Sequence, residues 1–230
     1  PCGGHGMTDV LYRWPDAARF GKPIPKTKFY ERAALTPAVR ARFVAEVDGI
    51  TWAYKLAEST INLPPSSEIP EIQVLVVKAK GADVDASVLT AIDKAIKQPV
   101  IFEIVTTQGT RMTATLKAGV PGQRYYSTEW NQGDRRRPLP PSITLPNLYA
   151  ALLDPLLPTP LRAGEQVADI AARLATIARL ERDISALTRK LKAEPQLNRK
   201  VELRRALKTQ QASLVDLTNP TPASTMTTTN

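Results

Sequence analysis

The sequence predicts an α+β protein, with a small mixed or antiparallel sheet and packed helices followed by a C-terminal antiparallel coiled-coil helical hairpin. Four stretches between residues 71 and 130 are rich in β-branched and aromatic residues and are separated by Gly or Pro, as strands are. One helical pattern lies between the first two stretches. After residue 164 the apolar residues recur at spacings of three and four, which is typical of a coiled coil.

The predicted strands of the central sheet read EIQVLVVKAKG, PVIFEIVTTQG, TRMTATLKAG and QRYYSTEW. The first two are joined by DASVLTAIDKAI, where Asp85 is the expected N-cap. Its apolar residues recur at helical spacing, and they are Val88, Leu89, Ile92 and Ile96. We expect this helix to pack on the sheet as the minimal core.

The residues before this core predict an extended segment, two helical patterns and one more strand. Residues 8–24 are expected to carry Trp14 and Phe20 onto the core, and KTKFYERAAL begins the first helical pattern. A second helix is expected to begin after the N-cap Thr36 and to stop near Gly49. The following segment, ITWAYKLA, alternates with period two and predicts a strand with Ile50, Trp52, Tyr54 and Leu56 on one face.

Two apolar seams predict the hairpin, after a loop rich in Pro and Arg and a short helix at residues 147–153. Pro195 separates the seams, and the arms are expected to bury mainly against each other. The first seam contains Val167, Ile170, Leu174, Ile177, Ile184, Leu187 and Leu191, with Glu181 at the skipped position. The second contains Leu203, Leu207, Gln210, Leu214 and Leu217.

These patterns divide the chain into four parts. We expect a tag or leader at residues 1–7, an α+β core domain at 8–158, the helical hairpin at 159–218 and a disordered tail at 219–230. The only cysteine and histidine lie in the first part, so the remainder excludes disulfides and zinc sites of the Cys/His type. No apolar run approaches the length of a membrane span, so no membrane partner is expected.

The charge balance favours anionic partners, because 31 Lys and Arg face 22 Asp and Glu and give a net charge of +9. Basic residues crowd the turn end of the predicted hairpin, and we predict that this tip binds nucleic acid through its phosphates. The alternative is an exposed helical face kept soluble by its charges. The tip residues are Arg189, Lys190, Lys192, Arg199, Lys200, Arg204, Arg205 and Lys208. A smaller cluster, Arg135 to Arg137, follows the sheet.

No catalytic constellation is present in the sequence. The motifs GxSxG, GxxxxGK[ST] and GxGxxG are missing, as is the [D/E/Q]-x-K triplet of many metal-dependent nucleases. Asp83 and Asp85 could together hold a cation, but this pattern is more typical of a helix N-cap. Glu103 and Asp93 are expected on solvated faces. The sequence thus predicts no catalytic residue, no metal and no cofactor.

Three aromatic residues, Tyr125, Tyr126 and Trp130, lie on the last predicted strand of the sheet. Such residues can stack nucleic-acid bases in proteins that bind single strands. An aromatic-rich strand more often belongs to a core, and we favour that interpretation here.

Several segments together resemble a bacterial family, the domain-of-unknown-function family numbered 4391. The similarity runs over residues 14–217. The segments that carry it are KPIPKTKFYERAALTPAVRARFVAEVDGITWAYKLAESTINL, the DKAI helix followed by PVIFEI, then YYSTEW and QLNRKVEL. The resemblance implies a cytoplasmic bacterial protein that works near DNA, as an accessory to a DNA methyltransferase or helicase of restriction and anti-phage systems. It implies no activity, cofactor or catalytic residue. The matching positions include Pro25, Lys26, Phe29, Tyr30, Trp52, Lys55, Thr60, Asn62, Asp93, Lys94, Tyr126, Trp130, Asn198, Arg199 and Glu202.

A second group of polar residues lies at the ends of predicted elements, where binding sites tend to occur. If the strand from Ile50 lies beside the strand from Glu71, these residues would converge at one edge of the sheet. This candidate polar cluster consists of Lys26, Lys28, Lys55, Thr60 and Asn62.

Our leading hypothesis is a non-enzymatic accessory module that binds nucleic acid or a nucleic-acid-processing partner enzyme, with the hairpin as its contacting arm. The alternatives are a metal-dependent nuclease or other hydrolase with an atypical carboxylate site, and a structural coiled-coil adaptor.

Overall fold

A computed structural model describes residues 11–116, 124–133 and 135–219 of the chain. The fold divides into two compact units between Leu157 and Pro158. The predicted leader at residues 1–7 and nearly all of the predicted tail at 219–230 lie outside the described residues. None of the helices in the described part combines the length and the apolar content needed to cross a membrane.

Unit 1 is built on a six-stranded, mostly antiparallel sheet, which confirms the α+β prediction. The strands occur in the sheet in chain order: β2 (Arg19–Pro23), β3 (Val47–Ala57), β4 (Glu71–Ala79), β5 (Val100–Thr106), β6 (Gly109–Thr115) and β7 (Tyr125–Ser127). Only β4 and β5 are parallel, and the helix between them makes the crossover that a parallel pair requires. The sheet is therefore mixed, as expected.

The helices of unit 1 begin where the sequence supplies caps. They are α1 (Thr27–Arg32), α2 (Pro37–Glu46), α3 (Glu58–Ile61), α4 (Ala86–Ile96) and α5 (Leu145–Leu153). The Thr36 hydroxyl accepts a hydrogen bond from Val39 N, and the Asp85 carboxylate accepts one from Ser87 N at 2.8 Å. Both predicted N-caps are confirmed.

Both faces of the central strands are buried. Leu75, Phe102 and Ile92 belong to one apolar cluster that α1, α2 and α4 cover. The residues that alternate with them in the strands, Val74 and Ile101, point to the opposite face and are also fully buried. The two central strands β4 and β5 are therefore buried on both faces over most of their length.

A β-bulge in β3 makes one sequence prediction wrong. Trp52 pairs with Leu75, whereas Tyr54 pairs with Val74, so three residues of β3 oppose two of β4. Because an extra residue reverses the alternation, Tyr54 lies on the face opposite to Trp52. The four residues Ile50, Trp52, Tyr54 and Leu56 therefore do not share one face.

The segment before the sheet forms a feature that the sequence did not predict. Its strand β1 (Leu11–Tyr12) pairs in parallel with β8 (Arg136–Arg137), from the loop after the sheet. Trp14 is buried, as expected, but Phe20 is 39% exposed and lies against Trp52, with ring centroids 4.8 Å apart.

Unit 2 is a helical hairpin made of α6 (Val167–Ala193) and α7 (Leu197–Thr218), which pack together around the turn at residues 194–196. Of the residues predicted for the seam of α6, Ile170, Leu174 and Ile177 are buried, and one predicted position is wrong. Leu180 is buried and Glu181 is exposed, so Leu180 continues the spacing of three and four between Ile177 and Ile184. Supercoiling of the two helices stays a prediction.

A buried ion pair holds the open end of the hairpin. The Arg173 guanidinium donates to both carboxylate oxygens of Glu165, at 2.6 and 2.8 Å, and to Thr159 Oγ1 at 2.7 Å. It also donates to the carbonyl oxygens of Pro160 and Leu217. Hydrogen bonding by Arg173 lowers the pKa of the Glu165 carboxyl. The segment before α6 and the last turn of α7 are thus fastened to one side chain.

We expect unit 1 to fold without unit 2. A chain truncated after Pro158 should retain a cooperative unfolding transition, because the sheet and its covering helices lie within one compact unit. Tryptophan fluorescence during urea denaturation is the measurement, since the three Trp residues all precede Pro158. A truncated chain that is unfolded by circular dichroism would contradict this division.

Replacing Arg173 with Gln should destabilise unit 2 by about 3–5 kcal/mol, because it leaves the Glu165 carboxylate buried without its cation. The deficit should shrink as the pH falls: Glu165 has a lowered folded pKa, so its stabilisation is present above the ordinary Glu pKa and is lost on acidification. Far-UV circular dichroism during denaturation measures the effect. Arg179→Gln, at an exposed position of α6, is the matched control.

Candidate nucleic-acid interface

The eight predicted basic residues surround the closed end of the hairpin. Arg189, Lys190 and Lys192 lie in the last turns of α6, and the others extend along α7 as far as Lys208. At 1.5 Å per residue, the α7 portion spans about 16 Å from Leu197 to Lys208. The helices therefore place both arms of the cluster beside one turn.

The charges of the tip are exposed and carry no ion pair within the described residues. Seven of the eight side chains are exposed and Lys200 is half-buried, and the five ion pairs of the described residues all lie elsewhere. In the turn, the Glu194 carboxylate accepts a hydrogen bond from Gln196 N at 3.0 Å. The tip is thus a concentrated positive surface.

The candidate polar cluster does not assemble as one group. Thr60 donates to the carbonyl oxygen of Lys55 at 2.9 Å, and Asn62 follows α3 in the left-handed conformation with φ 53°. Lys26 instead donates to the carbonyl oxygen of Val47. Val47 begins β3 and Lys55 lies eight residues further along it, so Lys26 contacts β3 about 25 Å from Lys55 and Thr60 at the usual rise of a strand. Lys28 is an exposed residue of α1.

Lys55 has a structural partner that sequence reasoning missed. Its ammonium lies 2.6 Å from Glu71 Oε2 on the neighbouring strand. Gln73 donates to the other oxygen of Glu71 at 2.7 Å and accepts from Trp52 Nε1 at 2.6 Å. Cross-strand register between β3 and β4 creates this chain of contacts, and register is not visible in a single sequence.

Asp83 and Asp85, the carboxylates of the hydrolase alternative, are both engaged by arginines. Arg111 donates to both oxygens of Asp83, at 2.8 and 2.6 Å, and Arg42 pairs with the N-cap Asp85. Within the part of the chain that the structure describes, no three His, Cys, Asp or Glu residues are grouped to hold a metal ion.

Glu103 is buried, so the expectation of a solvated position is wrong. Its carboxylate accepts from Trp14 Nε1 at 2.7 Å and from both terminal nitrogens of Arg136, at 2.7 and 3.0 Å. The sequence did contain a signal for the burial of Glu103: the near-continuous apolar run PVIFEIV is typical of a strand that is buried on both faces.

Asp93 is also buried, at 1% exposure, and the expectation of a surface position is wrong again. It lies four residues after Leu89 and therefore on the packed face of α4. Tyr125 donates to Asp93 Oδ2, whereas Asp93 Oδ1 accepts no hydrogen bond from the described residues. Burial raises the pKa of the Asp93 carboxyl to about 7, and the hydrogen bond from Tyr125 opposes this rise.

The three aromatic residues at the last strand have different surroundings. Tyr125 packs edge-on against Phe102 in the core cluster, and its pKa is raised by burial and by Asp93. Arg124 lies over Tyr126 and Arg111 lies over Trp130, at 5.5 and 4.8 Å from the ring centroids. Only Tyr125 and Tyr126 belong to β7, so the three do not form one stacking row.

The chain matches the family Domain of unknown function (DUF4391) over residues 13–214. It belongs to this family. The match spans both units and includes the basic tip. No curated protein and no solved structure matches the chain.

Replacing Asp93 with Asn should remove a pH dependence of stability. The folded carboxyl titrates near 7 and an unfolded one near 3.9, so the folded state binds the extra proton between these values. Wild-type stability should therefore fall, by on the order of 3–4 kcal/mol, as the pH rises from about 4 to 8. Tryptophan fluorescence during denaturation reports unit 1.

The control for this experiment is Asp48→Asn, at an exposed carboxylate of the same unit. This variant should keep the wild-type pH dependence. An Asp93→Asn variant whose stability still fell over the same pH interval would show that another group is responsible.

Proposed function

We propose that the protein is an accessory module of a bacterial restriction or anti-phage system, and that the hairpin tip binds nucleic acid by its phosphate backbone. The observation that carries this proposal is the group of eight basic residues, seven of them exposed, that pair with no carboxylate among the described residues. Unpaired Lys and Arg release condensed counterions when they contact phosphates, and this release drives binding.

The position of the charges in the helices supports binding over a purely structural role. Lys190 and Lys192 lie in the last turn of α6, where positive charge is favoured by the helix dipole. Arg199 and Lys200 lie in the first turn of α7, which contains no acidic residue. Positive charge is disfavoured at a helix N-terminus, so helix stability does not account for these two residues. An anion beside the tip removes that penalty.

The composition of unit 2 indicates what kind of contact the tip makes. The last aromatic residue of the chain is Tyr149, so the hairpin has no aromatic ring to stack on a base. Contacts from Lys and Arg to phosphates position a protein on nucleic acid without reading its sequence. Binding at the tip is therefore insensitive to sequence.

The partner that we propose is inferred from the family resemblance and not from the tip itself. The resemblance implies accessory proteins of DNA methyltransferases and helicases, and a cytoplasmic location. A module that holds duplex DNA without sequence preference suits such an enzyme, because the enzyme itself supplies recognition and chemistry.

A structural adaptor is the second candidate, and one observation favours it. Leu197 and Val201 are 71% and 55% exposed in the first turns of α7. Exposed apolar residues beside charges are common where a protein partner binds. The tip would then contact the partner enzyme in place of DNA.

Replacing Arg199, Lys200, Arg204 and Arg205 with Gln should weaken duplex DNA binding and flatten its salt dependence. If about four tip residues contact phosphates, the wild-type slope of log K against log salt is near −3 to −4. Gln has a helix propensity similar to that of Lys, so the hairpin should stay folded. Fluorescence anisotropy with a labelled duplex over a series of KCl concentrations measures both effects.

The control carries the same change of charge at exposed sites away from the tip: Arg32, Lys78, Arg179 and Arg182 to Gln. Its slope should match the wild type. If the tip variant kept the wild-type slope, the tip would not be a DNA-binding surface, and the adaptor would become the better interpretation.

A further inference from the structure

The pairing of β1 with β8 creates a second positively charged region, in unit 1 and separate from the tip. Arg13 N donates to the carbonyl oxygen of Arg137 at 2.7 Å, so Arg13 lies beside a loop that is far away in the sequence. Two adjacent recesses open along this ribbon, of about 790 and 800 Å³, and Arg13 and Arg136 line both. We call the two recesses together the arginine cleft.

One half of the cleft is strongly basic. Its lining includes Arg13, Arg135, Arg136 and Arg137. Arg136 pairs with Glu103, whereas the other three guanidiniums are exposed and pair with no carboxylate among the described residues. Three guanidiniums held near one another without an ion-pair partner among the described residues raise the local concentration of anions and favour their binding.

The other half of the cleft is mostly apolar and aromatic. Trp14, Tyr54, Val76, Pro138 and Leu139 line it, with Glu103 at its base. The rings of Trp14 and Tyr54 lie 6.1 Å apart, and Trp14 is fixed by its hydrogen bond to Glu103. Tyr54 is half-buried, so part of its ring remains available to a flat ligand.

The wall of the basic half is rigid and contains a buried hydrogen-bond donor, Asn131 Nδ2, that has no acceptor among the described residues. Gly109 has φ +135°, and a Cβ there would lie 2.3 Å from the carbonyl oxygen of Asn131. Asn131 is 4% exposed, its Oδ1 accepts from Gly133 N, and its Nδ2 has no acceptor among the described residues. The close approach at Gly109 thus holds a loop that lines the cleft.

We propose that the arginine cleft binds a nucleoside phosphate, with its phosphates on Arg13, Arg135 and Arg137 and its base against Tyr54. Guanidinium groups recognise phosphate oxygens by paired hydrogen bonds, and aromatic rings accept the π-face of any base. Each recess has the size of a small-molecule site. The same chemistry is presented by a free nucleotide and by the phosphorylated end of a single strand.

Arg136 and Glu103 have a positioning role in this proposal. Glu103 neutralises Arg136 and draws it onto the sheet, and Arg136 also donates to the carbonyl oxygen of Tyr12 at 2.8 Å. This contact holds β1 against β8 and so sets the spacing of the three unpaired arginines.

The test titrates the full chain with ATP, with a short 5′-phosphorylated single-stranded oligonucleotide and with its unphosphorylated form. Two of the three tryptophans, Trp14 and Trp130, line the cleft, so their fluorescence reports binding directly. We expect saturable binding of a phosphorylated probe. Preference for ATP identifies a free nucleotide as the ligand, and preference for the phosphorylated oligonucleotide over its unphosphorylated form identifies a strand end.

Two variants test the assigned roles. The triple change of Arg13, Arg135 and Arg137 to Gln should weaken binding roughly tenfold or more, since each removes a charge-assisted contact. Tyr54→Leu should weaken ATP binding but leave inorganic pyrophosphate binding unchanged. Denaturation followed by tryptophan fluorescence checks that each variant is folded. If the triple variant does not fold, the single variant Arg135→Gln replaces it in the test, because Arg135 lies outside β8.

The matched control changes Arg199, Arg204 and Arg205 of the tip to Gln, and it should leave nucleotide affinity unchanged. Failure at the cleft is therefore distinguishable from failure of DNA binding at the tip. The proposal is overturned if no probe binds saturably, if the arginine variants bind as tightly as the wild type, or if an oligoglutamate peptide binds as tightly as ATP.

Discussion

The contact between Glu103 and Arg136 is the interaction on which the second face of the sheet depends. A carboxylate at 3% exposure in a central strand is costly unless its charge is paired and its oxygens accept hydrogen bonds. Trp14 and Arg136 supply those bonds: Arg136 belongs to β8, and Trp14 lies two residues after β1. The ribbon over this face is thus fastened to the sheet by an electrostatic requirement as well as by apolar packing.

Asp93 shows the opposite solution to the burial of a carboxylate. Among the described residues no cation pairs with it, and one of its oxygens has no hydrogen-bond partner. Its pKa is therefore raised to near neutrality, whereas a paired carboxylate such as Glu165 has its pKa lowered. At neutral pH the unfolded chain carries this carboxyl charged, so folding must bury the charge or bind a proton, and either cost lowers the stability of unit 1. Tyr125 compensates only one oxygen.

The positive charge of the chain is divided between structural and available cations. Arg42, Lys55, Arg111, Arg136 and Arg173 pair with carboxylates, and Arg173 and Arg136 each hold a segment in place. Among the cations without a carboxylate partner in the described residues, eight lie at the tip and three in the basic half of the arginine cleft. Ion pairs at an exposed surface contribute little to stability, and the unpaired charges collected at these two places are the basis of the two proposed anion-binding surfaces.

The sequence alone determined the α+β class, strands β3 to β7, helices α1, α2, α4 and α5, the two N-caps and the hairpin, because these depend on local periodicity and capping residues. It also determined the composition of the basic tip. The tertiary structure decided the bulge that turns Tyr54 to the other face, the pairing of β1 with β8, and the burial of Glu103 and Asp93. It also decided the separation of Lys26 from Lys55 and Thr60. These features depend on register and on contacts between residues distant in the chain, such as Arg13 and Arg137, and no periodicity within one segment encodes such contacts.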